Sequence, residues 1–230
     1  MRHSCTGRNN VGPVCLWLAK RIFAKDVERM KTKKSDEIRT VAAELFAKHG
    51  YGSVGVAELG EAVGLGRGAL YYHISSKEDL LYSISSHYMQ LLIDAGRNII
   101  ALEIDPVKRI RLLSREMINA VYNHRAAMTV CFREIHELSG EKYRNVSQLH
   151  QDYQQLWVDT ISMGVAHGKF RPIEKVAIKG FMGMFFYSFL WLNPQGPQTG
   201  DEIGDIFGDL ILHSLTPWKK NNLSECGCRE

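Results

Sequence analysis

The 230-residue chain is 45% hydrophobic and 23% charged, the proportions of a folded globular protein rather than a disordered or fibrous one. Its formal charge of +4 conceals an asymmetry: residues 1–34 hold nine Lys and Arg against Asp26 and Glu28, a surplus of +7 that leaves −3 for residues 35–230. The longest apolar run, at 180–192, covers about 20 Å as a helix, too short for the roughly 30 Å hydrocarbon layer of a bilayer, and reads as a buried helix with no membrane partner.

At the N-terminus the basic arm favours a polyanion, which in the cytosol means nucleic acid; the alternative is a solvated tail. Residues 1–34 are expected to be a disordered extension, with Met30 as an alternative start. The apolar stretch at 14–19 is too short for a secretory signal and runs at once into Lys20 and Arg21, so a cytoplasmic location is expected. Five cysteines (Cys5, Cys15, Cys131, Cys226, Cys228) are odd in number and lie mostly in the tails, which is no disulfide framework, and Cys226 with Cys228 lacks a second ligand pair for a metal. No cofactor and no metal are expected.

From residue 35 onward apolar residues recur at helical spacing without sustained two-residue alternation, which predicts an all-α fold. Ser35 can cap the first helix, Asp36 and Glu37 suit its positive end, and Ile38, Val41, Ala42, Leu45 and Phe46 form one stripe that Gly50 stops. Short helices are expected at 56–63 and 67–73, then longer ones at 77–101, 106–123, 125–138, 142–167, 173–192 and 201–215. Pro106, Gly140, Gly168, Pro172 and the loop 193–200 mark the breaks. These elements divide into a small unit at 35–80, a larger helical body at 81–216 and a disordered tail at 217–230.

Residues 54–73 have the dimensions of a helix-turn-helix: a short helix, a tight turn at Gly64-Leu65-Gly66 and a second short helix from Arg67. Leu65 and Leu70 are expected to point inward, leaving Arg67, Gly68, Tyr71, Tyr72 and His73 outside, where the first turn can enter a major groove. An arginine at a helix start opposes the macrodipole, so Arg67 is expected to contact base or phosphate. Adjacent tyrosines point about 100° apart and cannot share one buried face, so at least one should offer its hydroxyl to a phosphate. His73 reads equally as packing, capping or contact. Lys77, again a cation at a helix start, is expected to await a DNA phosphate. The run GLGRGA at 64–69 lacks the third glycine and the preceding strand of a dinucleotide-binding loop.

The stretch 38–81, with its first-helix stripe, HGY stop, glycine turn, LYYH and SKEDLL in order, resembles the N-terminal DNA-binding domain of the TetR family of repressors. The resemblance implies that Arg67, Tyr71, Tyr72, His73 and Lys77 meet double-stranded operator DNA and that the chain represses transcription as a homodimer. Gly66 stands where the family commonly has serine, and Leu59-Gly60 replaces its IA pair, so no operator sequence can be borrowed.

A lone helix-turn-helix reads few base pairs, which makes a two-fold dimer expected. Its candidate surface is the stripe Ile203, Ile206, Phe207, Leu210 and Ile211, with Gly204 and Gly208 allowing close approach, joined by Phe181, Phe185 and Phe189; the alternative is an ordinary intrachain core. Between this surface and the helix-turn-helix, Met117, Met128, Phe132, Trp157, Phe186 and Trp191 are candidates for lining an apolar effector pocket. The segment 189–207 is similar to family members that sense acyl-CoA or other hydrophobic metabolites. Two rival functions stay open: a helical enzyme acting on a lipid-like substrate, and a DNA-bound accessory protein without a ligand. Against the enzyme, no nucleophile motif or metal spacing is present, and His124, His136, His150 and His167 are scattered.

Overall fold

The computed structural model describes residues 33–217. Residues 1–32 of the basic arm, the tail beyond Pro217 and four of the five cysteines lie outside the described residues, whereas Lys33 and Lys34, expected in a disordered extension, belong to the first helix. In chain order the helices are α1 at 33–49, α2 Val56–Ala62, α3 Arg67–His73, α4 Lys77–Leu102, α5 Pro106–Asn123, α6 Arg125–Arg133, α7 Gly140–Ala166, α8 Lys175–Phe186 and α9 Gly200–Leu215. Tight 3-10 turns follow α6 at Ile135–Glu137 and α8 at Tyr187–Leu190. Among the described residues there is no strand, and none of the helices is long and apolar enough to cross a membrane.

The helix ends follow from local chemistry. Ser76 caps α4 by accepting from the Asp79 amide, Asp105 caps α5 by accepting from Val107 ahead of Pro106, and Thr199 with Glu202 forms a reciprocal capping box on α9. Ser35 is no cap, because the chain is already helical at Lys33. The helices expected at 125–138 and 173–192 each stop short in a 3-10 turn, whose i→i+3 bonds (Glu137 N to Glu134 O at 3.0 Å, Leu138 N to Ile135 O at 3.1 Å) tighten the chain where the α pattern ends.

Two apolar clusters hold the helices. In the first, Ile38, Ala42 and Phe46 of α1 meet Leu59, Leu70 and the start of α4, and also Ala127 and Val130 of α6 and Val146 of α7. The N-terminal helices therefore do not close a core alone; α1 rests on the body. The second cluster fills the body, with Met89 and Leu92 of α4, Leu113 and Met117 of α5, Tyr153 and Trp157 of α7, Phe185 of α8 and Phe207 and Ile211 of α9. Full burial of such side chains contributes about 1.5–3 kcal/mol each. α4, about 39 Å long at 1.5 Å per residue, serves both clusters, its first turns the one and Met89 onward the other.

Candidate nucleic-acid interface and effector cleft

The turn between α2 and α3 depends on Gly64, whose φ of +66° is a left-handed conformation that side chains disfavour, and it is closed by Leu65 N donating to Gly60 O at 2.8 Å. α3 is fixed inward by Leu70, its one buried residue; Leu65 is half-buried. Arg67, Gly68, Ala69, Tyr71 and Tyr72 are all exposed, so nearly the whole outer surface of this helix faces solvent. The Arg67 guanidinium lies 5.8 Å from the centroid of the Tyr71 ring one turn on, which sets cation and phenol side by side. Gly66 offers no capping side chain and the first turn carries no acid, leaving the positive end of α3 uncompensated. Both tyrosines are exposed, Tyr72 at 69%, whereas the sequence required only one.

Two of the expected contact residues turn toward the protein. His73 is half-buried, its Nδ1 is enclosed, and it lines a small crevice with Ser35, Ile38, Asp79 and Ser83; it turns toward α1 and α4. The Lys77 ammonium donates to the carbonyls of Tyr51 at 2.7 Å and Val54 at 2.9 Å and sits 4.1 Å above the Tyr51 ring. Carbonyl oxygens in the α1–α2 connection accept the hydrogen bonds that a DNA phosphate was expected to accept.

Sequence reasoning missed the struts that join this surface to the body. Arg133 at the end of α6 donates through Nη2 to the carbonyls of Phe46 (2.8 Å) and Ala47 (3.0 Å), capping α1 from 87 residues away, a separation at which no sequence pattern signals the contact. At the start of α7, Ser139 donates to Glu78, and Lys142 meets Glu78 at 3.1 Å and Asp79 at 2.6 Å. The Ser139 hydrogen bonds hold the Glu78 carboxyl below its ordinary range, and Lys142 does the same for Asp79.

The six residues expected to line one pocket are dispersed. Met117 and Trp157 are fully enclosed in the core, and Phe132 and Phe186 stack at 4.1 Å with His150 edge-on at 5.5 Å from Phe132. Trp191 is 55% exposed and is corrected from cavity lining to surface. Met128 alone of the six reaches the cleft of about 650 Å³ that opens between α4, α5, α6 and the start of α9. Tyr88, Leu92, Ala120 and His124 line it too; its charged residues are Glu116 and Asp201, and no Lys or Arg is among them. Burial pushes the His150 imidazole down to about 4. Glu134, His136 and Glu137 bring ligand atoms within 4.8 Å of one another, but Arg133 Nε occupies Glu134 at 2.7 Å.

The stripe on α9 divides. Ile203, Phe207 and Ile211, with Phe185 and Phe189, are buried in the intrachain core and are corrected as interface residues. The reason is Gly204: a Cβ there would lie 2.5 Å from the Arg115 Cα, so the small-residue face of α9 is pressed against α5, where Arg115 binds Asp205 through two bonds of 2.6 Å and Arg111 pairs with Asp209. Ile206 (46%) and Leu210 (55%) face outward, Phe181 is half-buried, and Tyr187, Leu190 and Trp191, unremarked as interface in the sequence, are exposed as well.

Residues 38–84 match the family of bacterial regulatory proteins, tetR family, and residues 103–215 match the tetracyclin repressor-like C-terminal domain. The HTH-type transcriptional repressor KstR2 of Rhodococcus jostii is 26% identical over 188 residues, 80% of this chain and 92% of that one. The TetR family regulator PfmR of Thermus thermophilus superposes with a TM-score of 0.72 at 28% identity, covering 76% of this chain and 97% of its own. AibR, solved with isovaleryl coenzyme A and operator DNA, gives a TM-score of 0.70 at 25% identity over 80% of this chain and 98% of its own.

Proposed function

Because this chain belongs to the TetR family of bacterial transcriptional regulators, we propose that it is a cytoplasmic homodimeric repressor that leaves its operator when an acyl-type metabolite binds the body. The observation that carries the reading is α3, held by Leu70 alone and exposing Arg67, Tyr71 and Tyr72 together. Arg67 at the first turn reaches base edges, where arginine pairs with guanine O6 and N7; Gly68 lets the backbone come close; the tyrosine hydroxyls meet phosphates and set the register. A two-fold pair joined through Ile206, Leu210, Leu190 and Trp191 places two such helices about one helical turn of DNA apart.

The effector enters the cleft between α4, α5 and α6, whose Leu92, Ala120 and Met128 suit an apolar chain. AibR, a relative in fold solved with both an acyl-CoA and DNA, supports this class. Release follows from linkage: a ligand that favours a different setting of α6 also shifts α1 through Arg133 and spoils the spacing of the recognition helices. A coupling of about 1–3 kcal/mol changes operator affinity roughly 5- to 150-fold. DNA selected from a random pool, followed by anisotropy with and without isovaleryl-CoA and longer acyl-CoAs, tests both halves. A selected site whose binding weakens on adding one of these thioesters is expected; indifference to all of them contradicts the effector assignment.

A further inference from the structure

A second cleft, of about 460 Å³, lies between α6 and the end of α1. It shares α6 with the first: His124 and Met128 face one, Arg125, Ala126, Thr129 and Arg133 the other. Its lining is of two kinds. Ala47, Ala126, Phe189 and Leu190 are apolar, while Lys48, Arg125 and Arg133 bring three cations against one acid, Glu44.

These cations retain capacity. Lys48 is exposed and makes no ion pair among the described residues. Arg125 donates its Nε to Phe189 O at 2.9 Å, which leaves both amino groups. Arg133 uses Nε on Glu134 and Nη2 on the α1 carbonyls, which leaves Nη1. Two guanidinium groups and an ammonium beside an apolar wall form an environment for phosphate, which accepts charge-assisted hydrogen bonds from several donors at once. The larger cleft, with Glu116 and Asp201 and no cation, repels such a group.

We propose that the cleft between α1 and α6 binds the phosphorylated nucleotide end of a coenzyme A thioester. This rests on the acyl-type effector proposed above and assigns its head group. Lys48 and Arg125 grip the phosphates, and the same anion draws Arg133 away from the Phe46 and Ala47 carbonyls. Head-group binding thus loosens the cap that fixes α1, and it acts on the DNA-reading unit directly.

The test uses the full chain. The isovaleryl-CoA concentration that half-releases selected DNA is measured for wild type, Arg125→Gln and Lys48→Gln, and calorimetry compares coenzyme A with inorganic phosphate. At least a tenfold rise for Arg125→Gln is expected at unchanged ligand-free DNA affinity, with a rise also for Lys48→Gln, whose exposed side chain makes no ion pair among the described residues, and coenzyme A is expected to bind far more tightly than inorganic phosphate. Release at the wild-type concentration in both variants overturns the head-group site and leaves the effector assignment standing. Equal binding of phosphate and coenzyme A overturns the assignment to coenzyme A and reduces the cleft to a general anion site. Failure of isovaleryl-CoA and longer acyl-CoAs to release DNA from the wild type overturns both proposals together.

Discussion

Arg67 and Lys77 make the same impression in the sequence, a cation where a helix begins, and the macrodipole argument applied equally to both. The structure separates them: Arg67 is exposed beside Tyr71, while the Lys77 ammonium is satisfied by the carbonyls of Tyr51 and Val54. Lys77→Met is therefore expected to destabilise the α1–α2 connection by about 1–3 kcal/mol, since two enclosed carbonyls lose their donor, and to leave the salt dependence of DNA binding unchanged. A slope reduced by about one would restore the phosphate contact. Which partner a cation chooses depends on a carbonyl more than twenty residues earlier, and sequence spacing does not record that distance. His150 carries a second residue-level prediction. Its imidazole, near 6.5 in an unfolded chain, falls to about 4 in the folded one, so folding favours the neutral ring. That contribution is complete above about pH 6.5 and is lost as pH falls toward 4, at most about 3 kcal/mol in all. Equilibrium denaturation of His150→Leu across this window is expected to show a shallower loss than wild type; parallel curves would contradict the assignment.

At the scale of elements the helices were legible because 3.6-residue periodicity, caps and breakers agree: α3 and α5 occupy the expected 67–73 and 106–123. What periodicity withholds is the identity of the facing surface. A stripe such as Ile203, Phe207 and Ile211 announces burial equally well against a partner or against α5, and Gly204 decides it by admitting the Arg115 backbone. The same ambiguity scattered the aromatic residues expected around one pocket, since Trp157 and Met117 are as apolar in a core as in a lining. Gly204→Val is expected to force α9 off α5 and destabilise the chain by about 1–3 kcal/mol, the usual effect of overpacking, read as a lowered denaturation midpoint. An unchanged midpoint would mean that the two helices can part at no cost.

At the scale of the whole molecule, the proposed homodimer sets two recognition helices against one stretch of DNA. Ile206 and Leu210 are the large apolar side chains of α9 left exposed once α5 has covered its small-residue face, and Leu190 and Trp191 are exposed as well. Leu210→Glu places a charge in it, and sedimentation is expected to show a folded monomer with greatly weakened operator binding; a dimer of wild-type stability would move the interface elsewhere. The central claim, that α3 reads base edges in the major groove from a two-fold assembly, is tested most directly by methylation interference at guanine N7 on DNA selected by the full chain, for wild type and Arg67→Ala. Interference at guanines in two symmetric half-sites about one helical turn apart is predicted, with the Arg67→Ala pattern losing a guanine from each half and the affinity falling by about 1–3 kcal/mol. Binding indifferent to N7 methylation, or a single unpaired site with an identical pattern for the variant, would contradict it.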